Sequence, residues 1–251
     1  MATIISVHSF RGGTGKSNTT ANLTLLLAVQ GYRVGVIDTD IQSPGIHVIF
    51  GLNEDQIVFA LNDYLWGDCE IEDAAYDLSA AIPNQSGGAI YLIPASIKPG
   101  EIARILRDGY DPGLLNEGLQ RIVETLNLDV LLIDTHPGLN EETLLSLAIS
   151  DAVLIILRPD QQDYQGTSVT VEVAKKLEVP RVLLLVNKVP ESFDLHAVQQ
   201  RVEEAYGCEI AAVIPHSDDL MTLASSAIFA LRFPDHPVTQ AYRQAAARLL
   251  A

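Results

Sequence analysis

This 251-residue chain has little cysteine, little positive charge and no long apolar run, and each shortage removes a class of function. Cys69 and Cys208 stand far apart and form no cluster of the kind that carries a metal or iron–sulfur centre, so they read as reduced thiols. The first ten residues lack the basic start and apolar stretch of a secretory signal. Runs such as Val182 to Val186 fall well short of the roughly 20 residues that a membrane helix needs. These absences together place the expected location in the cytoplasm. Only 16 Lys and Arg oppose 32 Asp and Glu, a net charge of −16 that disfavours the polyphosphate surface of nucleic acid.

What the chain does have is apolar residues, 48% of the total, enough to bury one sizeable core. They fall into short continuous runs: Ile4 to Val7, Arg33 to Ile37, Ile90 to Ile93, Val130 to Ile133, Val153 to Leu157, Arg181 to Val186 and Glu209 to Ile214. Continuous rather than alternating strands belong to a sheet covered on both faces by helices. Helix-period stretches between the runs, such as Asn18 to Gln30 ended by Gly31, imply parallel pairing through right-handed crossovers. The expectation is an α/β fold: one domain, residues 1–251, with a mostly parallel sheet of about seven strands. The less regular stretch Gln56 to Ser79 carries Phe59, Tyr64, Trp66 and Tyr76, read as core packing.

Ligands of such sheets bind at the carboxyl ends of the strands. After the first run comes Gly12-Gly13-Thr14-Gly15-Lys16-Ser17, opening a helix. Glycines let backbone N–H groups turn toward phosphate oxygens, and the helix start adds free donors and a positive dipole end. In this setting Lys16 bridges β- and γ-phosphates and the Ser17 hydroxyl ligates magnesium. Asp134, after another apolar run, suits the metal side. Asp38 and Asp40 end the second run and point the same way, one toward the metal and one able to orient water. Guanine-specific P-loop proteins carry Asn-Lys-x-Asp; here Asn187-Lys188-Val189-Pro190 lacks the Asp, and adenine is expected.

With these motifs in order along nearly the whole chain, the sequence resembles the MinD/ParA family of deviant-Walker P-loop ATPases. The matching residues are Arg11 to Ser17, Val36 to Asp40, Leu132 to Gly138, Val186 to Lys188 and Ile214-Pro215. The resemblance implies a homodimer that sandwiches two ATP molecules and falls apart on slow, partner-stimulated hydrolysis, positioning or regulating a protein partner or cargo. It implies ATP and Mg2+ as cofactors and Lys16, Asp40 and Arg11 as the catalytic set, Asp40 positioning the water. The expected metal side is Ser17, Asp38 and Asp134. The nucleotide side is Gly12, Gly13, Thr14, Gly15, Lys16, Ser17 and Asn18, with Asn187 and the backbone at Pro215 at the base.

Two departures stand out. Arg11 replaces the lysine that the family reaches across the dimer, and a guanidinium fork is not equivalent to an ammonium. Asn18 stands where Thr or Ser is common, and its amide can donate to an α-phosphate. His136, in the switch segment, either contacts the γ-phosphate or a second subunit or is structural. The polar run Asp160 to Gly166 reads equally as a contact loop or a solvated one. The last residues, 241–251, lack the large apolar and basic residues of a membrane-targeting helix and read as a helix packed on the domain. Non-specific DNA is disfavoured by charge, leaving an unidentified protein partner. The alternative reading is an ATP-binding regulatory module with little hydrolysis.

Overall fold

The computed structural model describes residues 2–83 and 87–251; Met1 and residues 84–86 of the expected domain lie outside them. Among the described residues eight strands form one sheet: β1 (Thr3–His8), β2 (Arg33–Asp38), β3 (Tyr76–Asp77), β4 (Ala89–Ile93), β5 (Val130–Asp134), β6 (Ala152–Leu157), β7 (Arg181–Val189) and β8 (Glu209–Pro215). Their order is β3-β4-β2-β5-β1-β6-β7-β8. All pairs are parallel except the two-residue edge strand β3, which runs antiparallel to β4. The seven expected strands are all present, and β3 is the addition. It lies in the irregular stretch and is too short to leave a periodic signal.

Side chains alternate across the sheet and divide the core in two. Ile5, Val7, Val34, Val36, Leu132 and Leu154 face one layer. Leu131 and Ile133 face a second cluster, and Val153, Ile155 and Leu184 a third, on the opposite side. The helix α1 (Lys16–Val29) lies in the first layer, with the C-terminal helix Pro237–Leu249 beside it on β8. Enclosed by the sheet and neighbouring helices, α1 is buried nearly all round, its polar Thr19, Thr20, Asn22 and Thr24 included; Leu23, Leu25 and Leu27 are buried, each contributing about 1.5–3 kcal/mol. Tyr64 is buried, while Phe59, Trp66 and Tyr76 pack partly buried against the core, in line with the packing reading.

The register sets the site. Val7 and Asp38 both pair with Asp134, so the carboxyl ends of β1, β2 and β5 finish at one level. The neighbours of β1 are β5 on one side and β6 on the other, the point at which chain order reverses and ligands bind. On the far side, β7 and β8 slip out of register between Val186 and Val189, and Lys188 takes a φ of 57°. That irregularity turns Asn187 and Lys188 back toward the loop after β1.

Candidate functional site

Between β1 and α1 the chain makes a loop whose outer carbonyls are tied down. Asn187 Nδ2 donates to Thr14 O at 2.8 Å, and Lys188 Nζ donates to Gly13 O at 2.9 Å. With these carbonyls held outward, the loop amides turn the other way. Gly15, the residue before α1, has a φ of 101°, and a Cβ there would stand 2.5 Å from Asn187 Nδ2. Glycine is required on both counts. The amides face a cavity of about 420 Å³ lined by Gly12 to Asn18, Ser9, Asp40, Ser43, His136 and Ser225 among others.

At the floor, buried Lys16 extends its Nζ to 3.7 Å from Asp40 Oδ2 and 3.9 Å from Asp134 Oδ1. Asp134 Oδ1 also accepts from Thr20 Oγ1 at 3.2 Å, whereas its Oδ2 is buried with no hydrogen-bond partner. Asp38 accepts the amide of Asp40 at 3.0 Å and that of Gly45 at 3.2 Å, shaping the loop after β2. Burial first, then the charges of Asp134 and Asp40, pushes the Asp38 carboxyl well above its ordinary range. Burial also raises Asp134, against the pull of Lys16, the Ser17 hydroxyl and Thr20. Two carboxylates, Asp40 and Asp134, thus share one ammonium, with Asp38 buried beside them.

Such an excess of buried negative charge, with an orphaned oxygen on Asp134, fits a divalent cation next to Ser17. Among the described residues no three His, Cys, Asp or Glu side chains form a complete metal cage. Magnesium takes few protein ligands and completes its shell with water and phosphate oxygens, and Ser17 and Asp134 are the side chains placed to hold it.

His8, at the end of β1, is locked neutral. The Thr135 hydroxyl gives its proton to Val7 O, so it accepts from His8 Nδ1–H at 2.8 Å. His8 Nε2 is left buried and unpaired, and burial, with Lys16 and His136 nearby, lowers the imidazole to about 3.

A family model described as an AAA domain matches residues 2–181. The chain belongs to this family, that of the MinD/ParA P-loop ATPases. An uncharacterized ATP-binding protein of Methanocaldococcus jannaschii is 28% identical over 252 residues, spanning 100% of this chain and 88% of that protein. The cell division ATPase MinD of Pyrococcus furiosus superposes with a TM-score of 0.82 at 23% identity, covering 100% of both chains. MinD of Pyrococcus horikoshii, solved with Mg-ADP, gives 0.81 at 24% identity, covering 99% of this chain and 96% of that one. At these identities the two solved structures establish the fold.

Of the residues singled out in the sequence, this P-loop ATPase fold brings Lys16, Ser17, Asp38, Asp40 and Asp134 together under Gly12 to Asn18. Asn187 sits behind the loop as its tie, and Pro215 ends β8 beside Val189; neither lines the cavity. Arg11 points away from the cavity. Its Nη1 lies 3.3 Å from Asp163 Oδ1 and 3.6 Å from Asp160 Oδ1, a pair of carboxylates that also holds Arg158. The polar run 160–166 is therefore no loop: Asp160 caps the helix Gln161–Lys176, accepting from the amides of Gln162 and Asp163. Asn18 Nδ2 donates to Ser225 Oγ at 2.9 Å, its Oδ1 unpaired.

Three participants were missed in the sequence. Ser225, in a left-handed turn with Ala224, closes the cavity from 207 residues beyond Asn18. Asp163 is almost fully buried against Arg11 and Arg158. Lys188 grips the loop; its place beside Asn187 was the available signal. Both cysteines are free, and among the described residues no helix is long and apolar enough to cross a membrane. The C-terminal helix packs on α1 and β8, as its composition implied.

Proposed function

We propose that this chain binds ATP with magnesium in the cradle of Gly12 to Asn18 and works as an ATP-dependent dimerisation switch for a protein partner or cargo. The observation that carries this reading is the cradle itself: amides turned inward by the ties from Asn187 and Lys188, above Lys16 poised between Asp40 and Asp134. A triphosphate offers Lys16 better partners than the two carboxylates and draws its ammonium toward the β- and γ-oxygens. Ser17 and Asp134 would hold the cation, with Asp38 organising the loop beside them. The bound cation would neutralise charge developing on the phosphates.

Asp40, released from Lys16, orients the water. The water oxygen bonds to the γ-phosphorus, the bond to the β,γ-bridging oxygen breaks, and ADP, phosphate and a proton leave. Turnover is slow and rises with a partner, because the second charge for the transition state must come from Arg11 of a neighbouring copy. The backbone at Pro215 flanks the base, while Asn187 serves the loop that it ties. The named relatives that bind ATP or Mg-ADP support the choice of nucleotide. The protein acts in the cytoplasm.

The alternative is an ATP-binding module that hydrolyses little. One observation favours it: Arg11 is held within its own chain by Asp160 and Asp163. Turnover measured against protein concentration separates the two. The switch predicts a specific rate that climbs as dimers form and collapses in Arg11→Ala. A rate independent of concentration, unchanged in Arg11→Ala, contradicts it.

A further inference from the structure

His136 is the side chain shared by two cavities: the cradle cavity and a second one of about 270 Å³ lined by Thr39, Gln42, Ile105, Asn140 and Glu142 among others. Its Nδ1 is 2.7 Å from Asp40 Oδ1. A carboxylate only accepts, so the shared proton sits on Nδ1. The same Oδ1 also accepts the amide of Ser43 at 3.2 Å. Asp40 Oδ2 has only Lys16 Nζ, at 3.7 Å, beyond a normal hydrogen bond.

The backbone that carries the ring is itself pinned. The carbonyl of His136 accepts from Thr143 Oγ1 at 3.2 Å, and the Gly138 amide donates to Ser9 O at 3.0 Å. A ring fixed at its root and bonded at its tip sets the rotamer of the carboxylate it holds.

We propose that His136 is a positioning residue for hydrolysis: by holding Asp40 Oδ1 it presents Oδ2 to the attacking water once Lys16 has moved to phosphate. The inference rests on the reading of Asp40 given under the proposed function. Without the Nδ1–H donor, Asp40 keeps the Ser43 amide alone and is free to rotate. ATP binding changes little, because the His136 ring at the cavity wall is bonded to Asp40 and not to the glycine loop, whereas the chemical step loses its geometry.

Two substitutions separate donor from shape. In His136→Asn, Nδ2 stands at the same bond separation from the backbone as the imidazole Nδ1. His136→Phe keeps the ring and removes the donor. Single-turnover hydrolysis of Mg-ATP is measured beside equilibrium binding of a fluorescent ATP analogue. The expected rate falls roughly 10- to 100-fold in His136→Phe and stays within about threefold of the parent in His136→Asn. Binding should stay within about twofold in both, since the interaction removed acts only in the chemical step.

A parent-like rate in His136→Phe, or equal losses in the two variants, overturns the proposal. His136→Ala takes the place of the Phe variant if that fails to fold, with the same criteria. Asp40→Asn tells the two layers apart. If it hydrolyses as the parent does, the role of Asp40 fails and this inference with it. If it is inactive while His136→Phe is parent-like, only this inference fails. The double variant adds no loss to Asp40→Asn; an additive loss would give His136 a separate task and refute the positioning role.

Discussion

Replacing Asp160 with Asn should tighten the ATP-bound dimer. If Arg11 serves the neighbouring copy, it must leave the carboxylates that hold it in its own chain, and the strength of that hold opposes dimerisation. Arg11 Nη1 lies 3.6 Å from Asp160 Oδ1, with 38% of the arginine side chain and 43% of the aspartate exposed. Solvent screening limits such a pair to roughly 0.2–1 kcal/mol. Two arginines leave their holds in each dimer, so Asp160→Asn is worth about 0.4–2 kcal/mol, or about 2- to 30-fold in the dimer dissociation constant. The substitution is chosen because Asn caps a helix as well as Asp and preserves the start of Gln161–Lys176. Arg158 remains anchored on Asp163 at 3.0 Å.

The assay is sedimentation equilibrium with Mg-ATP in an Asp40→Ala background, where hydrolysis does not deplete the complex. In Arg11→Ala the effect of Asp160→Asn should vanish, since there is no longer a charge to release. A dimer weakened or unchanged by Asp160→Asn, or one tightened equally without Arg11, would refute the reasoning.

Other outcomes follow from the same geometry. Asn187→Ala removes a buried tie and frees the Thr14 carbonyl, at a cost of roughly 1–3 kcal/mol. Calorimetry should show ATP and tripolyphosphate weakened alike; a loss confined to ATP would assign Asn187 to the base instead of the loop. Gly15→Ala places a Cβ 2.5 Å from Asn187 Nδ2 at a φ of 101°, and nucleotide binding should be lost while the fold persists by circular dichroism. His8 titrates at about 3 in the fold against 6.5 outside it, so its contribution is intact above pH 6.5 and drains away as pH falls toward 3. The full loss is about 4–5 kcal/mol. His8→Gln should flatten that limb of denaturant stability against pH, and parallel curves for the two proteins would contradict the buried neutral imidazole.

Much of this fold is legible in the sequence. Seven strands showed themselves because buried parallel strands are continuous apolar runs, and the glycine loop stood between one of them and a helix. The edge strand Tyr76–Asp77 left no trace, since two residues cannot establish a period. The polar run 160–166 reads as a loop by its polarity, although Asp160 and Asp163 have the spacing of a helix start and Asp160 caps the helix that follows. The ties that complete the site were not readable. Arg11 meets Asp163 across 152 positions and Asn18 meets Ser225 across 207, and local periodicity carries no information about such pairings. What the sequence offered at the site was chemistry; which carboxylate faces Lys16, and which arginine is held back, came from the fold.

The most direct test of the central claim is the molar mass of the protein with Mg-ATP, with Mg-ADP and without nucleotide, followed by light scattering as ATP is consumed. The account predicts monomer without nucleotide and with ADP, dimer with ATP, and return to monomer as phosphate appears, with no dimer in Lys16→Ala. ATP bound tightly with no change of mass, or a dimer that persists equally with ADP, would contradict it.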